Sequence, residues 1–308
     1  MIDYHVHLWP HHERADETEL ALERLARYVE VARENGVEEL ALTEHFFRFT
    51  SARAVVDRWW DDDSDPAGRP LRERAEAYFD HHATADLDHY VETALAAKES
   101  GLPVVVGLEV DYYPGRMDKV SELLSGYPFD VLLGSVHWIE NWMFDNLADA
   151  VEMGEWDRRE LSESWRAYTS ALEELAATGA CDVLAHPDLV KVAGRIPDRG
   201  VVEECEARIA EAASVSGMAA EVSSAGRVKP CGEDYPSPSL LRRFAEKGVP
   251  ITLASDTHGL ARVGERNREL KAAAVAAGHR RLRRFRARRP DDVELDPTGR
   301  PNGRVTAR

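Results

Sequence analysis

The sequence predicts an α/β fold in which seven parallel strands form a closed or nearly closed barrel. Seven short apolar runs alternate with helical patterns along the 308 residues, and five of the helical patterns end at a glycine just before the next run. This alternation is typical of βα repeats with right-handed crossovers. Every apolar run ends in polar residues, and in parallel barrels such residues gather at the C-terminal ends of the strands. We therefore expect the functional side chains on that face.

The predicted elements follow one another without an internal linker. In chain order, the strands cover residues 2–7, 37–45, 104–111, 129–137, 182–188, 218–224 and 249–258. Their polar ends are His5 and His7; Glu44 and His45; Glu109 and Asp111; His137; His186 and Asp188; Ser223 and Ser224; Asp256 and His258. Helical periodicity covers residues 17–34, 86–100, 159–178, 201–216, 238–247 and 263–277.

Two regions depart from this rhythm. The connection between Phe46 and Thr84 is long, and we interpret its centre, 59–66, as a surface excursion that acts either as a lid or only in packing. Residues 280–289 hold seven arginines. We favour a solvated edge strand there, with Leu282 and Phe285 packed inward, over a surface for an acidic partner. We expect one domain over 1–295 and a disordered tail over 296–308.

Composition excludes several classes of protein. The net charge of −17 argues against nucleic acid as a partner, since affinity for polyanions comes chiefly from Lys and Arg. Three distant cysteines without a C-x-x-C motif favour neither a disulfide framework nor a thiolate zinc site. We expect no signal peptide, no membrane span and a cytoplasmic location.

The polar strand ends predict a metal cluster. His5 and His7 are two residues apart on a strand, so both rings reach the same side, and Asp256 and His258 repeat this spacing. A buried carboxylate at Glu109 requires a partner, and a metal ion is one. Each histidine alone is more often a structural residue than a ligand. Their occurrence together at one end of successive strands favours metal binding.

These motifs resemble the PHP (polymerase and histidinol phosphatase) superfamily over residues 1–295, and within it the monofunctional histidinol-phosphatases. The resemblance is carried by His5-Val6-His7, Thr43-Glu44-His45, Gly107-Leu108-Glu109, Gly134-Ser135-Val136-His137, His186-Pro187-Asp188, Glu221-Val222-Ser223-Ser224, Tyr235-Pro236-Ser237-Pro238 and Ser255-Asp256-Thr257-His258. It implies a distorted (β/α)7 barrel, similar to a TIM barrel, with three divalent metals that are zinc, manganese or iron.

The resemblance also implies a ligand set. The first metal takes His5, His7, Glu109 and Asp256, and Glu109 bridges to a second metal that also takes His137 and His186. The third takes His45, His258 and a histidine of the loop after the first strand. In relatives this histidine stands six residues after the second histidine of the His-x-His motif, and that position is Glu13 here. Allowing for a deletion of one residue, we prefer His12, with His11 and Glu13 as alternatives.

The implied reaction is attack of a metal-activated hydroxide on phosphorus. The catalytic centre is then Glu109, Asp256 and His258. Glu44 and Asp188 are expected to orient ligands from behind. Cations for the ester oxygens are expected from Lys191, Arg227 and Lys229, although the arginine stands one residue earlier than in relatives and Ser223-Ser224 replaces their Asn-Thr.

The leading hypothesis is hydrolysis of L-histidinol phosphate in histidine biosynthesis. Alternatives are another small phosphomonoester, a nucleotide or a phosphodiester, and a binding protein built on an inactive barrel. The expected partner is a small phosphorylated molecule, with no nucleic acid and no membrane. The sequence leaves the oligomeric state open.

Overall fold

Seven parallel strands form the centre of the molecule, which a computed structural model describes for residues 1–61 and 68–295. The sheet order is β1-β2-β3-β4-β7-β8-β9, with every pairing parallel. These strands span Ile2–Val6 (β1), Glu39–His45 (β2), Val104–Asp111 (β3), Val131–Ser135 (β4), Val183–Leu184 (β7), Ala219–Ser223 (β8) and Ile251–Ala254 (β9). A short hairpin, Trp138–Ile139 (β5) and Trp142–Met143 (β6), follows β4. All seven predicted strands are confirmed.

The two ends of this sheet meet, so the predicted barrel is nearly closed. The His7 amide donates to the Thr257 carbonyl at 2.8 Å, beyond the end of β9. The buried Asp3 carboxylate accepts from the Ser255 amide at 2.8 Å, from the Ser255 hydroxyl at 2.6 Å and from the Gly264 amide at 2.8 Å. Because a buried carboxylate is costly unless it is hydrogen-bonded, these contacts pin the first strand to the segment after the last strand of the barrel.

Ten helices surround or extend the barrel in the described part of the chain. They span Leu22–Glu34 (α1), Thr50–Val56 (α2), Arg69–His82 (α3), Leu87–Glu99 (α4), Met117–Leu124 (α5), Ala150–Arg158 (α6), Leu161–Thr178 (α7), Arg199–Ser216 (α8), Pro238–Glu246 (α9) and Asn267–Ala277 (α10). Glycines end helices α7 and α8, as predicted. Gly179 and Gly217 have φ of 66° and 74°, a conformation that favours glycine. Helices α2, α3, α5 and α6 were not predicted.

The centre of the connection between Phe46 and Thr84 was predicted to be a surface excursion, but its two tryptophans are packed against the protein. The connection contains α2 and α3, and Trp60 is only 2% exposed. Trp60 stacks on Phe79 with ring centroids 5.0 Å apart, and Trp59 contacts Trp138 at 5.5 Å. The two tryptophans are therefore packed against the body of the protein. Residues 62–66 of the predicted excursion lie outside the described residues, as does the predicted tail 296–308.

The arginine-rich strip forms an antiparallel hairpin of Arg281–Arg286 (β10) and Arg289–Glu294 (β11). As predicted, Leu282 and Phe285 are buried. The arginines form ion pairs, including Arg283 with Asp292 at 2.8 Å and Arg288 with Asp182 at 3.0 Å. The hairpin lies against residues that precede the barrel strands, so it covers the end of the barrel opposite the polar strand ends.

Side chains that alternate between the two sides of each strand fill the interior of the barrel below the polar strand ends. Val105, Gly107 and Glu109 share one side of β3, because side chains two apart point the same way. A Cβ atom on Gly107 would lie 2.6 Å from the Val131 carbonyl oxygen, so only glycine fits beneath Glu109. Within residues 1–61 and 68–295, no helix is long and apolar enough to cross a membrane.

Candidate metal centre

Eight residues predicted as metal ligands lie together at the C-terminal ends of the strands. We call them the ligand cluster: His5, His7, His45, Glu109, His137, His186, Asp256 and His258. Six of them are buried, and the side chains of Asp256 and His258 are 16% and 22% exposed. Three groups have ligand atoms within 4.8 Å of one another: His5, Glu109 and His186; His5, His7 and Asp256; His7, His45 and His258.

Glu109 is the centre of this cluster. Its Oε2 lies 3.2 Å from His5 Nε2 and 2.7 Å from His45 Nδ1. Its Oε1 lies 2.9 Å from His186 Nε2 and 3.5 Å from His137 Nε2. His7 Nε2 also lies 3.6 Å from Oε2, so the two oxygens face different sets of histidines, an arrangement that suits a carboxylate shared by two cations.

Several atoms of the cluster are buried and make no hydrogen bond among the described residues. They are the Nε2 atoms of His5 and His7, Nδ1 of His45 and Oε2 of Glu109. Buried polar atoms are normally paired, so a group of them facing one space indicates a missing partner. Imidazole nitrogens and carboxylate oxygens are ligands for zinc, manganese and iron. The donor set fits divalent cations.

Three histidines of the cluster are held from behind by carboxylates. Each directs its Nδ1 atom to a buried acid: His5 to Glu221 at 2.6 Å, His7 to Glu44 at 3.4 Å and His137 to Asp111 at 2.5 Å. When Nδ1 donates to a carboxylate, Nε2 keeps its lone pair and turns toward the cluster. This is the usual support for a histidine that binds a metal.

Backbone strain also concentrates at the cluster. His186 and Asp256 have φ of 25° and 50°, although neither is a glycine. A residue held in this region costs on the order of 1–3 kcal/mol, and such residues persist where the surroundings require them. At both positions the chain leaves a barrel strand, so the strain aims the side chain back over the mouth of the barrel.

The loop after β1 presents a different histidine from the one preferred on sequence grounds. The His11 ring lies 5.1 Å from the His258 ring and 5.6 Å from the His45 ring, between centroids. His12 and Glu13 are exposed. The preference for His12 therefore does not match the geometry, because the turn after Pro10 brings His11 toward the cluster.

Arg48 holds this loop in place. Its side chain is fully buried and pairs with Glu44 at 3.0 Å. It donates to the carbonyl oxygens of Glu13 and Pro10 at 2.7 Å each. Glu44 in turn accepts from the Leu8 amide at 2.9 Å. One buried ion pair thus joins the end of β2 to the loop that carries His11.

The electrostatics divide the cluster into two kinds of histidine. Burial acts to lower the pKa of His137, yet Asp111 and Glu109 raise it to about 10. Burial and the charge of His7 lower the pKa of His45 to about 3 and that of His258 well below its usual value. The carboxylates that raise the pKa of His137 favour positive charge at the cluster, which a bound cation would supply in place of a proton. The low pKa values of His45 and His258 leave those rings neutral and able to bind it.

Glu109 itself is strongly anionic. Burial acts to raise its pKa, but the charges of His5, His45 and His137 hold it well below its usual range. A carboxylate that stays ionised while fully buried is available as a ligand at any pH at which the protein functions.

The three cations expected to bind the ester oxygens have different surroundings. Lys191 is buried and pairs with Asp188 at 2.9 Å, and Arg227 pairs with Asp234 through two bonds of 2.7 and 2.8 Å. Lys229 is exposed and has no ion-pair partner among the described residues. Its charge helps to lower the pKa of His11, after burial and the neighbouring histidines. Of the three, only Lys229 is free and near the cluster.

Asp188 does not orient His186 in the structure. Its Oδ2 accepts from the Ser237 amide at 2.7 Å and pairs with Lys191. Asp188 therefore ties the segment after β7 to the start of α9. Glu44, by contrast, contacts His7 as expected.

Sequence reasoning named His11 only as an alternative ligand and Asp111 only as a strand end, and it assigned no role to Arg48, Asp145 and Glu221. Glu221 had a usable signal, since it is a charged residue inside the apolar strand Ala219–Ser223 and is fully buried. A buried acid in a central strand requires a partner, which here is His5.

Comparison with known proteins agrees with this geometry. The model of the PHP domain family matches residues 18–225. The chain is 31% identical over 242 residues to a protein of Deinococcus radiodurans described as a probable histidinol-phosphatase, and the match covers 78% of this chain and 82% of that protein.

Two solved structures share the fold. One is a histidinol phosphate phosphatase from Lactococcus lactis subsp. lactis complexed with zinc, L-histidinol and phosphate, with a TM-score of 0.64, 20% identity, and coverage of 94% of this chain and 98% of that one. The other is a putative histidinol phosphatase from Listeria monocytogenes, with a TM-score of 0.64, 19% identity, and coverage of 86% and 97%. The family match and the relative from Deinococcus radiodurans show that this chain belongs to the PHP domain family.

Proposed function

We propose that this protein is a metal-dependent phosphatase that hydrolyses L-histidinol phosphate to L-histidinol and phosphate. The observation that carries the proposal is the convergence of buried, unpaired nitrogen and oxygen atoms from His5, His7, His45 and Glu109 at the mouth of the barrel. The relative that is 31% identical supports the substrate, since it is described as a probable histidinol-phosphatase. The structure that shares the fold and holds zinc, L-histidinol and phosphate supports it further.

We assign the metal positions from the distances within the ligand cluster. His5, His7 and Asp256 would form one position. Glu109 and His186 would form the second, with His5 close by and with His137, whose Nε2 lies 3.5 Å from Glu109 Oε1. The third is formed by His45 and His258, with His7 close by and His11 from the loop after β1. Glu109 would serve both of the first two positions, because its two oxygens face different histidines.

The reaction adds water to phosphorus and releases the alcohol. Bound divalent cations supply a water that is nucleophilic at neutral pH and offset the charge on the phosphoryl oxygens. The protein fixes the ligand geometry through Glu221, Glu44 and Asp111, which orient the histidines. Lys229 supplies a free ammonium group for the ester oxygens.

The partner is a small phosphorylated molecule, and we place the reaction in the cytoplasm. Cys181, Cys205 and Cys231 are free thiols, which suits a reducing compartment.

The test is release of phosphate from L-histidinol phosphate by the purified protein, with and without a chelator. Glycerol phosphate, a nucleoside monophosphate and a phosphodiester complete the panel. We expect release from L-histidinol phosphate to be the fastest, to stop with chelator and to return with zinc or manganese. His137→Asn should abolish it, whereas His89→Asn, on the exposed face of α4, is the matched control.

Two results would contradict the proposal. Faster release from another ester would keep the reaction and reject the substrate. Full activity after complete removal of metal would reject the mechanism.

A further inference from the structure

Asp145 is a partly buried acid for which the proposed reaction has no use. It lies just after β6, in the segment that follows His137 and the β5–β6 hairpin. Its Oδ1 is fully buried and has no hydrogen-bond partner among the described residues. A carboxylate oxygen that is removed from water without a partner is costly, so its retention points to a ligand that completes it.

The surroundings of Asp145 place its carboxylate at the metal centre. Burial raises its pKa, while the charges of His137, Lys229 and His186 act against this rise. Asp145 belongs to none of the groups whose ligand atoms lie within 4.8 Å of one another. Since these charges act on it, its carboxylate lies near His137, His186 and Lys229, without being part of the ligand cluster.

A second unpaired group lies nearby. The hydroxyl of Tyr78, on α3, is buried and also has no hydrogen-bond partner among the described residues. Burial raises the pKa of Tyr78, and the charge of Asp145 adds to the rise, so the two groups are close enough to interact. They share no hydrogen bond, and a donor placed between them would satisfy both.

Aromatic rings form the wall around these groups. Tyr78 contacts Phe47 and Trp138, with ring centroids 5.1 and 5.8 Å apart. Phe47 stacks on His45 at 4.5 Å, so the wall continues to the ligand cluster. Aromatic rings beside a carboxylate form a favourable site for an organic cation.

The sign of the charge decides which end of a substrate meets Asp145. A carboxylate near a centre that binds phosphate repels the phosphate, since like charges at close range in a buried site cost several kcal/mol. Lys229 and the metal positions serve the anionic end. A favourable contact with Asp145 therefore requires a part of the substrate that carries a positive charge or a strong N–H donor.

We propose that Asp145, with Tyr78, selects the substrate by binding a cationic nitrogen at the end remote from the phosphate. This inference rests on the proposed function, since L-histidinol phosphate carries an ammonium group and an imidazole. It extends that function by identifying which side chains of this protein distinguish a zwitterionic phosphomonoester from a neutral one.

The test compares pairs of esters that differ in charge remote from the phosphate: L-histidinol phosphate against phenyl phosphate, and ethanolamine phosphate against glycerol phosphate. For each pair the measured quantity is the ratio of kcat/KM, cationic over neutral. We expect Asp145→Asn to lower both ratios by about 10- to 100-fold, the range for loss of a charge-assisted hydrogen bond. The fall should be mainly in KM. Tyr78→Phe should lower the ratios less.

The matched control is Glu140→Gln, an exposed carboxylate in the turn of the same hairpin, which should leave both ratios unchanged. Metal content per chain is measured for every variant, so that loss of the centre is recognised. Unchanged ratios in Asp145→Asn would overturn the inference and leave the proposed function standing. If the wild-type protein instead prefers a neutral ester, the proposed substrate is rejected, and the inference falls with it unless Asp145→Asn still lowers the ethanolamine-to-glycerol ratio.

Discussion

Arg48 provides the sharpest test of how the protein builds its site. It is fully buried, pairs with Glu44 and holds the loop of His11 through the carbonyl oxygens of Pro10 and Glu13. Lysine can replace the charge beside Glu44, but a single ammonium group cannot reproduce the planar fork that serves Glu44 and the loop at once. The change Arg48→Lys thus removes the loop contacts while sparing the ion pair.

The expected effect follows from those bonds. A hydrogen bond to a charged group contributes about 1.5–3 kcal/mol, so loss of one or both loop contacts costs about 2 kcal/mol of preorganisation at His11. At about 1.4 kcal/mol per factor of ten, this weakens the metal position of His45, His258 and His11 by roughly 30-fold. Arg48→Met is harsher, because a buried Glu44 without its counter-ion costs about 3–5 kcal/mol in stability.

The assay is metal content per chain during titration with a chelator of known affinity. For Arg48→Lys we expect one class of metal to leave at roughly 30-fold lower chelator strength, with the others released as in the wild type and the melting temperature of the metal-free protein nearly retained. Arg53→Lys, on the neighbouring α2, is the control because Arg53 pairs with Glu76 and has no contact with the loop. Wild-type release of every metal from Arg48→Lys would refute the reasoning.

Three further predictions concern other parts of the molecule. Glu221→Gln should weaken metal binding by about 10- to 100-fold, because the acid that orients His5 is lost; chelator titration beside Glu211→Gln, an exposed glutamate of α8, measures this. Trp60→Ala should lower the free energy of unfolding by about 3–5 kcal/mol without changing kcat of the folded enzyme, and a changed kcat at full metal content would favour a lid. Burial raises the pKa of Glu152 from 4.5 to about 8, so its folded form binds the proton more tightly and its ionisation costs stability as pH rises through that interval. Glu152→Gln should therefore be more stable than the wild type at pH 9, by up to about 4 kcal/mol, and less so at pH 5, as urea unfolding at the two pH values will show.

The strands and their polar ends were predictable because two simple signals coincide. Each strand is a short apolar run, and most follow a helix that ends at a glycine. The side-chain period of two then places His5 and His7, or Val105 and Glu109, on one side. These rules act over a few residues, so they can be read from the sequence alone.

The parts that were missed depend on contacts between distant residues. Helix α3 did carry a signal, since Leu71, Ala75 and Phe79 recur every four residues and are buried, but this stripe is narrow. His11, rather than His12, lies next to the ligand cluster because of how Arg48 holds the loop. No local pattern in the sequence encodes this long-range contact.

Arg227 illustrates the same limit at a shorter range. Arg227 was predicted to bind the substrate because it follows the Glu221-Val222-Ser223-Ser224 motif. In the structure it pairs instead with Asp234, seven residues later. The turn between the two residues is irregular, so neither strand nor helix periodicity reports on this contact.

The hairpin β10–β11 has a consequence for how the chain matures on the ribosome. The Phe285 amide donates to the Tyr4 hydroxyl at 3.1 Å, and the Ala287 amide donates to Asp130 at 2.9 Å, so the hairpin contacts both the first strand and the residue just before β4. Every residue of the ligand cluster, up to His258, precedes that hairpin in the chain. During synthesis, which proceeds from the N-terminus, a nascent chain therefore acquires its full set of metal ligands before the base of the barrel can be sealed.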